Sequence, residues 1–238
     1  MSLYYNLDRG VIMKRYLRNM DMLSPKENES LKKHKVCVVG CGGLGGYVIE
    51  MLARLGIGCI TAIDGDVFEE TNLNRQLFSS VNNLGQNKAL AAKLRVNQIN
   101  PDVIVNSVDD YISEENYADI LKGADVIVDA VDDINTRFLL QRFAADLNIP
   151  LVHGAISGWF GQVSTIMPND NTLNLIYKTD ENLENSLGNP SFTPALVAAV
   201  EVSEVLKILI ERGETLRYKL LLIDTYTQNY TVIKLKDK

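Results

Sequence analysis

The residues in this chain with the type and spacing to do chemistry begin with a glycine cluster, Gly40-Cys41-Gly42-Gly43-Leu44-Gly45-Gly46. An apolar run, Val36-Cys37-Val38-Val39, leads into it, and Tyr47 to Leu55 continues with helical spacing. Strand, tight turn and helix are the setting in which G-x-G-x-x-G binds a nucleotide. Gly40 allows the tight turn, Gly42 the close approach of a phosphate and Gly45 the close packing of helix on strand. Unpaired N–H groups and the dipole at the helix start favour an anion there. Asp64 stands about 20 residues further on, at the end of a second apolar run, where such folds place an acid on a ribose hydroxyl. Asp129 and Asp132 close a later run in the same way. On these residues alone, a dinucleotide-dependent oxidoreductase and an ATP-using enzyme are equally compatible.

The elements that must carry these groups alternate along the chain. Strands are expected at 35–39, Cys59–Ile63, Asp102–Val108, Asp125–Asp129 and from Pro150 to Ala155. Helices are expected between them at 43–55, Asn87–Gln98, Glu114–Leu121 and Asn135–Asn148, with a polar loop from Gly65 to Gly85. Near-continuous apolar strands between helices predict a parallel sheet covered on both faces. Beyond residue 155 the rhythm changes to a strand at Gly161–Met167, a polar, Asn-rich loop over 168–190 and a long helix from Pro194 to Glu211. The β-rich segments Lys219–Asp224 and Gln228–Leu235 then read as a hairpin. Before the first strand, Arg9 to Met22 is expected to be helical, and Ser24-Pro25-Lys26-Glu27 has the Ser, Pro and Glu of a helix start. The expectation is an α/β chain with a Rossmann-like, mostly parallel central sheet and helices on both faces. An N-terminal helical arm (1–33), lying outside the core, precedes a single domain (34–238). That domain divides into a nucleotide-binding part at about 34–156 and a C-terminal antiparallel β-extension at about 157–238.

Composition narrows the classes. Of the 238 residues, 46% are hydrophobic and 23% charged, ordinary for a globular protein. The net charge of −6 argues against a nucleic-acid-binding surface. No apolar run approaches the roughly 20 residues of a membrane span, so no membrane is expected. The absence of a signal-peptide pattern makes a cytoplasmic location the default. Three cysteines, Cys37, Cys41 and Cys59, give no disulfide framework and fit a reducing compartment. With no C-x-x-C and only His34 and His153, no zinc is expected.

Asn72-Leu73-Asn74-Arg75-Gln76 and Gly85-Gln86-Asn87-Lys88-Ala89 separate the two readings. With the glycine turn and Asp64-Gly65-Asp66, they resemble the ThiF/MoeB/HesA family of bacterial relatives of the ubiquitin-activating enzymes. The resemblance runs from Arg15-Tyr16-Leu17-Arg18 through Asp129-Ala130-Val131-Asp132 and Gly161-Gln162-Val163 to the final hairpin. It implies adenylation of the C-terminal carboxylate of a small β-grasp sulfur-carrier protein ending in Gly-Gly, with ATP and magnesium, in a cytoplasmic homodimer. Cofactor-binding positions on this resemblance are Gly40, Gly42, Gly43, Leu44, Gly45, Asp64, Asp66, Asn72, Arg75, Gln76 and Lys88. Asp64 holds the ribose, and Asn72, Arg75 and Lys88 the triphosphate. Catalytic roles fall to Arg75, Lys88, Asp132, which holds magnesium, and Arg18, which reaches the neighbouring subunit's nucleotide. Cations and a metal suit the reaction, because a carboxylate attacking an α-phosphate meets strong negative charge.

Some positions depart from that pattern. Asp133 follows Asp132 where the family often has Asn, Asn19 replaces the arm's usual Gln, and the paired C-x-x-C motifs of zinc-binding members are missing. No cysteine follows Cys59, which excludes covalent transfer through the later loop. Pro190-Ser191-Phe192-Thr193-Pro194 differs from the small-residue turn common before the last helix. Alternatives within the superfamily are a tRNA-nucleoside dehydratase and a peptide adenylase; an NAD-binding oxidoreductase leaves Arg75, Lys88 and the arm without a task.

Overall fold

The computed structural model describes residues 4–7, 10–177 and 188–235, with side chains from residue 13 onward. Five strands, β3 (Lys35–Val39), β4 (Cys59–Ile63), β5 (Ile104–Val108), β6 (Val126–Asp129) and β7 (Leu151–Ser157), form the expected parallel sheet. β8 (Phe160–Ile166), β9 (Lys219–Asp224) and β10 (Asn229–Lys234) extend it antiparallel. The order across the eight strands is β10-β9-β8-β7-β6-β3-β4-β5. β9 and β10 are the expected hairpin, with Asp224 opposite Asn229.

Alternation of side chains along the strands explains the two covered faces. Val36, Val38, Ile60, Ala62, Val126 and Val128 point to one side, where α2 (Gly43–Leu55), α3 (Lys88–Ile99) and α7 (Phe192–Leu209) bury them. Cys37, Val39, Ile63 and Ile127 point to the other, against Leu140, Phe143 and Ala144 of α5 (Ile134–Asp146) and Leu173 of α6 (Thr172–Ile176). The strand order reverses between β3 and β6: the chain runs outward through β4 and β5, then returns to β6 beside β3. A crevice opens at the carboxyl ends of strands at such a reversal, which is where ligands bind in open α/β sheets.

The N-terminal segment corrects two expectations. Arg9 to Met22 is not one helix: β1 (Tyr4–Leu7) pairs with β2 (Gly10–Met13), and a 3-10 helix spans Lys14–Asn19, while Arg9 lies outside the described residues. The adjacent β-branched Val11 and Ile12 favour the strand. Nor does the segment stand off the core, because Tyr16, Leu23 and Leu31 are buried. Tyr16 packs on Gly56, and its hydroxyl accepts from Asn100 Nδ2 at 2.8 Å, which fixes the arm beneath the starts of β4 and β5. α1 (Pro25–Ser30) opens with the predicted capping box between Ser24 and Glu27. Elsewhere, the helix expected at Glu114–Leu121 shrinks to α4 (Tyr117–Ile120), and α6 forms inside the 168–190 loop, of which 178–187 lies outside the described residues.

Candidate active site

A cleft of about 280 Å³ opens where β3, β4 and β6 end. Gly40, Gly42, Gly43, Leu44, Asp64, Asp66, Arg75, Gln76 and Asp132 all line it. The glycines are required by close contacts. Gly40 has φ +93°, and a Cβ there would lie 2.5 Å from the Ala130 carbonyl oxygen. A Cβ on Gly45 would lie 1.8 Å from the Gly40 carbonyl oxygen, so Gly45 sits beneath the turn and lets the helix approach it. No side chain caps the first turn of α2, whose N-cap is Gly42, so N–H donors there remain available to an anion. Cys41 is 1% exposed, and burial pushes its thiol well above the ordinary range, as suits packing rather than nucleophilic attack.

Asp64 is held against this turn. Its Oδ2 accepts from Cys41 N at 2.7 Å and its Oδ1 from Asp66 N at 2.9 Å. Burial still pushes its carboxyl above the usual value despite those bonds. Asp66 is held below its usual value, chiefly by Lys88 and by the Tyr111 hydroxyl that donates to Oδ1. Lys88 Nζ lies 2.8 Å from Asp66 Oδ2, and the side chain is buried behind the rim rather than lining the cleft.

The 72–76 segment divides its tasks. Asn72 is buried behind the wall, where its Oδ1 accepts from Glu69 N at 3.0 Å. It does not line the cleft; it shapes the turn that presents Arg75 and Gln76. Arg75 Nη1 donates to Thr71 O and Asn74 Oδ1, both at 3.1 Å, and no carboxylate among the described residues pairs with it. Its charge is therefore available to the cleft.

Asp132 and its neighbour have separate roles. Asp133 caps α5, with Oδ2 accepting from Thr136 N at 2.7 Å and Thr136 Oγ1 at 2.8 Å. Burial raises its carboxyl, but these bonds outweigh that and leave it below the usual value. Asp132 is thereby left with no capping duty and faces the cleft. Among the described residues, no three or more His, Cys, Asp and Glu side chains gather as a metal cage. One free carboxylate suits magnesium, which proteins hold through one or two carboxylates together with substrate phosphates.

Arg18 is exposed on the arm beneath the starts of the strands and does not line the cleft of its own chain. Residues outside the sequence expectation also contribute. Asn87 Nδ2 donates to Asp64 O, Asp66 O and Asp109 Oδ1, tying the ends of β4 and β5 to the start of α3. Arg137, Tyr111 and Asn189 line the cleft. Asn87 stood inside a recognised motif, whereas Arg137 carried no local signal beyond its helix.

The ThiF family model matches residues 16–238. The SAMP-activating enzyme E1 of Haloferax volcanii is 33% identical over 226 residues, covering 92% of this chain and 84% of that protein. The sulfur carrier protein adenylyltransferase of Thermus thermophilus is 32% identical over 234 residues, covering 91% and 84%. Among solved structures, E. coli MccB with ATP superposes with a TM-score of 0.80 at 25% identity, covering 95% of this chain and 73% of that one. The described helices include none long and apolar enough to cross a membrane.

Proposed function

The chain belongs to the ThiF family, and from that premise we propose that it is an ATP-dependent adenylyltransferase acting on the C-terminal carboxylate of a small, Gly-Gly-terminated ubiquitin-like sulfur carrier. The observation that carries this reading is the convergence of three features on one cleft: the uncapped start of α2, the cation of Arg75 and the carboxylate of Asp132. A free cation beside the turn would suit the pyrophosphate of a dinucleotide as well, but hydride transfer leaves a metal-binding carboxylate facing the phosphates without a task. The two relatives named above act, by their names, on SAMP and sulfur-carrier proteins.

In the proposed reaction, a carboxylate oxygen bonds to the α-phosphorus while the bond to pyrophosphate breaks. Asp64 accepts from ribose hydroxyls beside the glycine turn. Gly42, Gly43 and Leu44 supply backbone N–H groups to phosphate oxygens, and Arg75 supplies charge in a planar, bidentate form. Lys88 leaves Asp66 to meet the triphosphate, adding a second cation where charge develops. Asp132 is the carboxylate for magnesium, which when bound neutralises phosphate oxygens. Arg18, remote from its own cleft, serves the cleft of a second copy in a homodimer. The β-extension at about 157–238 receives the carrier: Trp159, Phe192 and Tyr226 cluster there, exposed, with ring centroids 4.9 and 5.6 Å from Trp159.

Pyrophosphate exchange with a panel of purified Gly-Gly-terminated carriers tests the reading. Exchange dependent on one carrier, on ATP and on magnesium is expected. Exchange with none of them sinks it.

A further inference from the structure

Beneath the cleft, the backbone of one residue, Val131, is held by a closed ring of hydrogen bonds. Val131 N donates to Asp129 Oδ1 at 3.2 Å. Asp129 Oδ2 lies 2.7 Å from His153 Nδ1. His153 Nε2 lies 3.2 Å from the Tyr177 hydroxyl. Tyr177 accepts from Arg137 Nη1 at 2.8 Å, and Arg137 Nη2 donates to Val131 O at 2.7 Å. The ring thus begins and ends on Val131, the residue before Asp132.

The protons can be assigned without conflict. His153 is fully buried, and burial holds its pKa below the ordinary value against the pull of Asp129, which favours the neutral imidazole. Nδ1–H then donates to Asp129, and Nε2 accepts from the Tyr177 hydroxyl and from Gln162 Nε2, each at 3.2 Å. The Tyr177 oxygen accepts from Arg137 and also from Gln162 Nε2 at 2.7 Å. One hydroxyl therefore orients both the acid branch and the guanidinium branch. Asp132 has no such anchor of its own, and among the described residues its carboxylate makes no hydrogen bond that would fix it. Its placement depends on Val131, pinned at both N–H and C=O.

We propose that Tyr177 is a positioning residue for Asp132, acting through the ring Tyr177–His153–Asp129–Val131–Arg137 without touching substrate. The inference rests on the reading of Asp132 as the carboxylate that meets the metal–ATP complex. Groups hydrogen-bonded directly to a ligand commonly control metal affinity by 10- to 100-fold; here the control passes to Asp132 through the Val131 backbone, at the lower end of that range.

The test uses the full chain. In Tyr177→Phe, the Val131 amide, followed by NMR in ligand-free protein, is expected to exchange about tenfold faster or more, while amides of β3 do not change. Mn2+ binding in the presence of ATP, read by electron paramagnetic resonance, is expected to weaken about tenfold or more. ATP binding without metal is expected to stay as in the parent protein. Gln162→Leu removes a donor shared by Tyr177 and His153 but leaves the five bonds of the ring in place, and is expected to leave Val131 exchange alone. If Tyr177→Phe does not fold, Arg137→Lys, which keeps the cation but loses the fork, takes its place and is read by Val131 exchange and Mn2+ binding alone, because Arg137 also lines the cleft. Unchanged Val131 exchange overturns the positioning role, as does an equal disturbance in Gln162→Leu, which would mean general loosening. Asp132→Asn with undiminished Mn2+–ATP binding overturns the assignment of Asp132 instead.

Discussion

Lys88 Nζ is paired with Asp66 Oδ2 at 2.8 Å, so the cation at the start of α3 is held by the chain's own carboxylate at the edge of the cleft. Asp66 is half exposed, and its other oxygen receives the Tyr111 hydroxyl. A pair of this kind can exchange its partner for a phosphate at little cost, because water screens the carboxylate on its open side. Lys88→Met is expected to shift the melting temperature by no more than about 3 °C. The same variant is expected to lower carrier-dependent pyrophosphate exchange by about 100-fold or more, since one charged donor to the transition state is lost. Thermal unfolding and exchange rates measured on one preparation check both. Retained activity would leave the Asp66 pair as the whole task of Lys88.

Arg75 should behave differently from a surface arginine. Its bonds to Thr71 O and Asn74 Oδ1 are local, so the fold does not depend on it. Arg75→Ala is expected to abolish AMP transfer with the circular dichroism spectrum unchanged. Arg75→Lys restores little, because an ammonium lacks the planar fork for two phosphate oxygens. An active Arg75→Ala variant would remove Arg75 from the mechanism.

Two glycines in the same turn predict opposite outcomes. A Cβ on Gly45 would lie 1.8 Å from the Gly40 carbonyl, so Gly45→Ala must displace backbone and is expected to cost about 3 kcal/mol or more in chemical denaturation. A Cβ on Gly43 meets Arg75 Cγ at 3.5 Å, an ordinary contact, at a helical position where Ala is favoured over Gly. Gly43→Ala is expected to fold normally but to bind ATP about tenfold more weakly, because the new methyl takes space at the cleft wall between the turn and Arg75 that the phosphates would use. Calorimetric titration of both variants separates the structural glycine from the ligand-facing one.

Glu201 on α7 is fully buried, and neither carboxyl oxygen has a hydrogen-bond partner among the described residues. It fills the space that a side chain at Gly154 would occupy. Burial, and then the charge of Asp129, push its carboxyl well above the ordinary 4.5, while Arg137 pulls the other way. The folded pKa is therefore above the unfolded one. The protonated acid's contribution is complete below pH 4.5 and is lost as pH rises toward the folded value. Glu201→Gln, which cannot ionise, is expected to gain stability over the parent chain as pH rises above 4.5, by up to about 1.4 kcal/mol per pH unit. Urea unfolding between pH 5 and pH 8 (roughly the span where the linkage acts) reads this slope, and parallel curves would refute it.

Sequence by itself determined the order of strands and helices over the Rossmann-like half, the glycine turn at the end of β3, and the family through Asn72–Gln76 and Gly85–Ala89. These are local signals: side-chain period, glycine spacing and capping residues act within one or two turns of chain. It read the N-terminal segment poorly, because the segment's fate rests on Tyr16 meeting Gly56 and Asn100, contacts that no periodicity announces. Only the tertiary structure showed that Asp133 rather than Asp132 caps α5, that Lys88 is spoken for by Asp66, and that Asn72 shapes the wall without lining it. Only there, too, do Asp129, Arg137, His153 and Tyr177 close on a single residue, Val131. Residue type states which hydrogen bonds a side chain is able to make; which of them it makes depends on the partners that folding brings within about 3 Å.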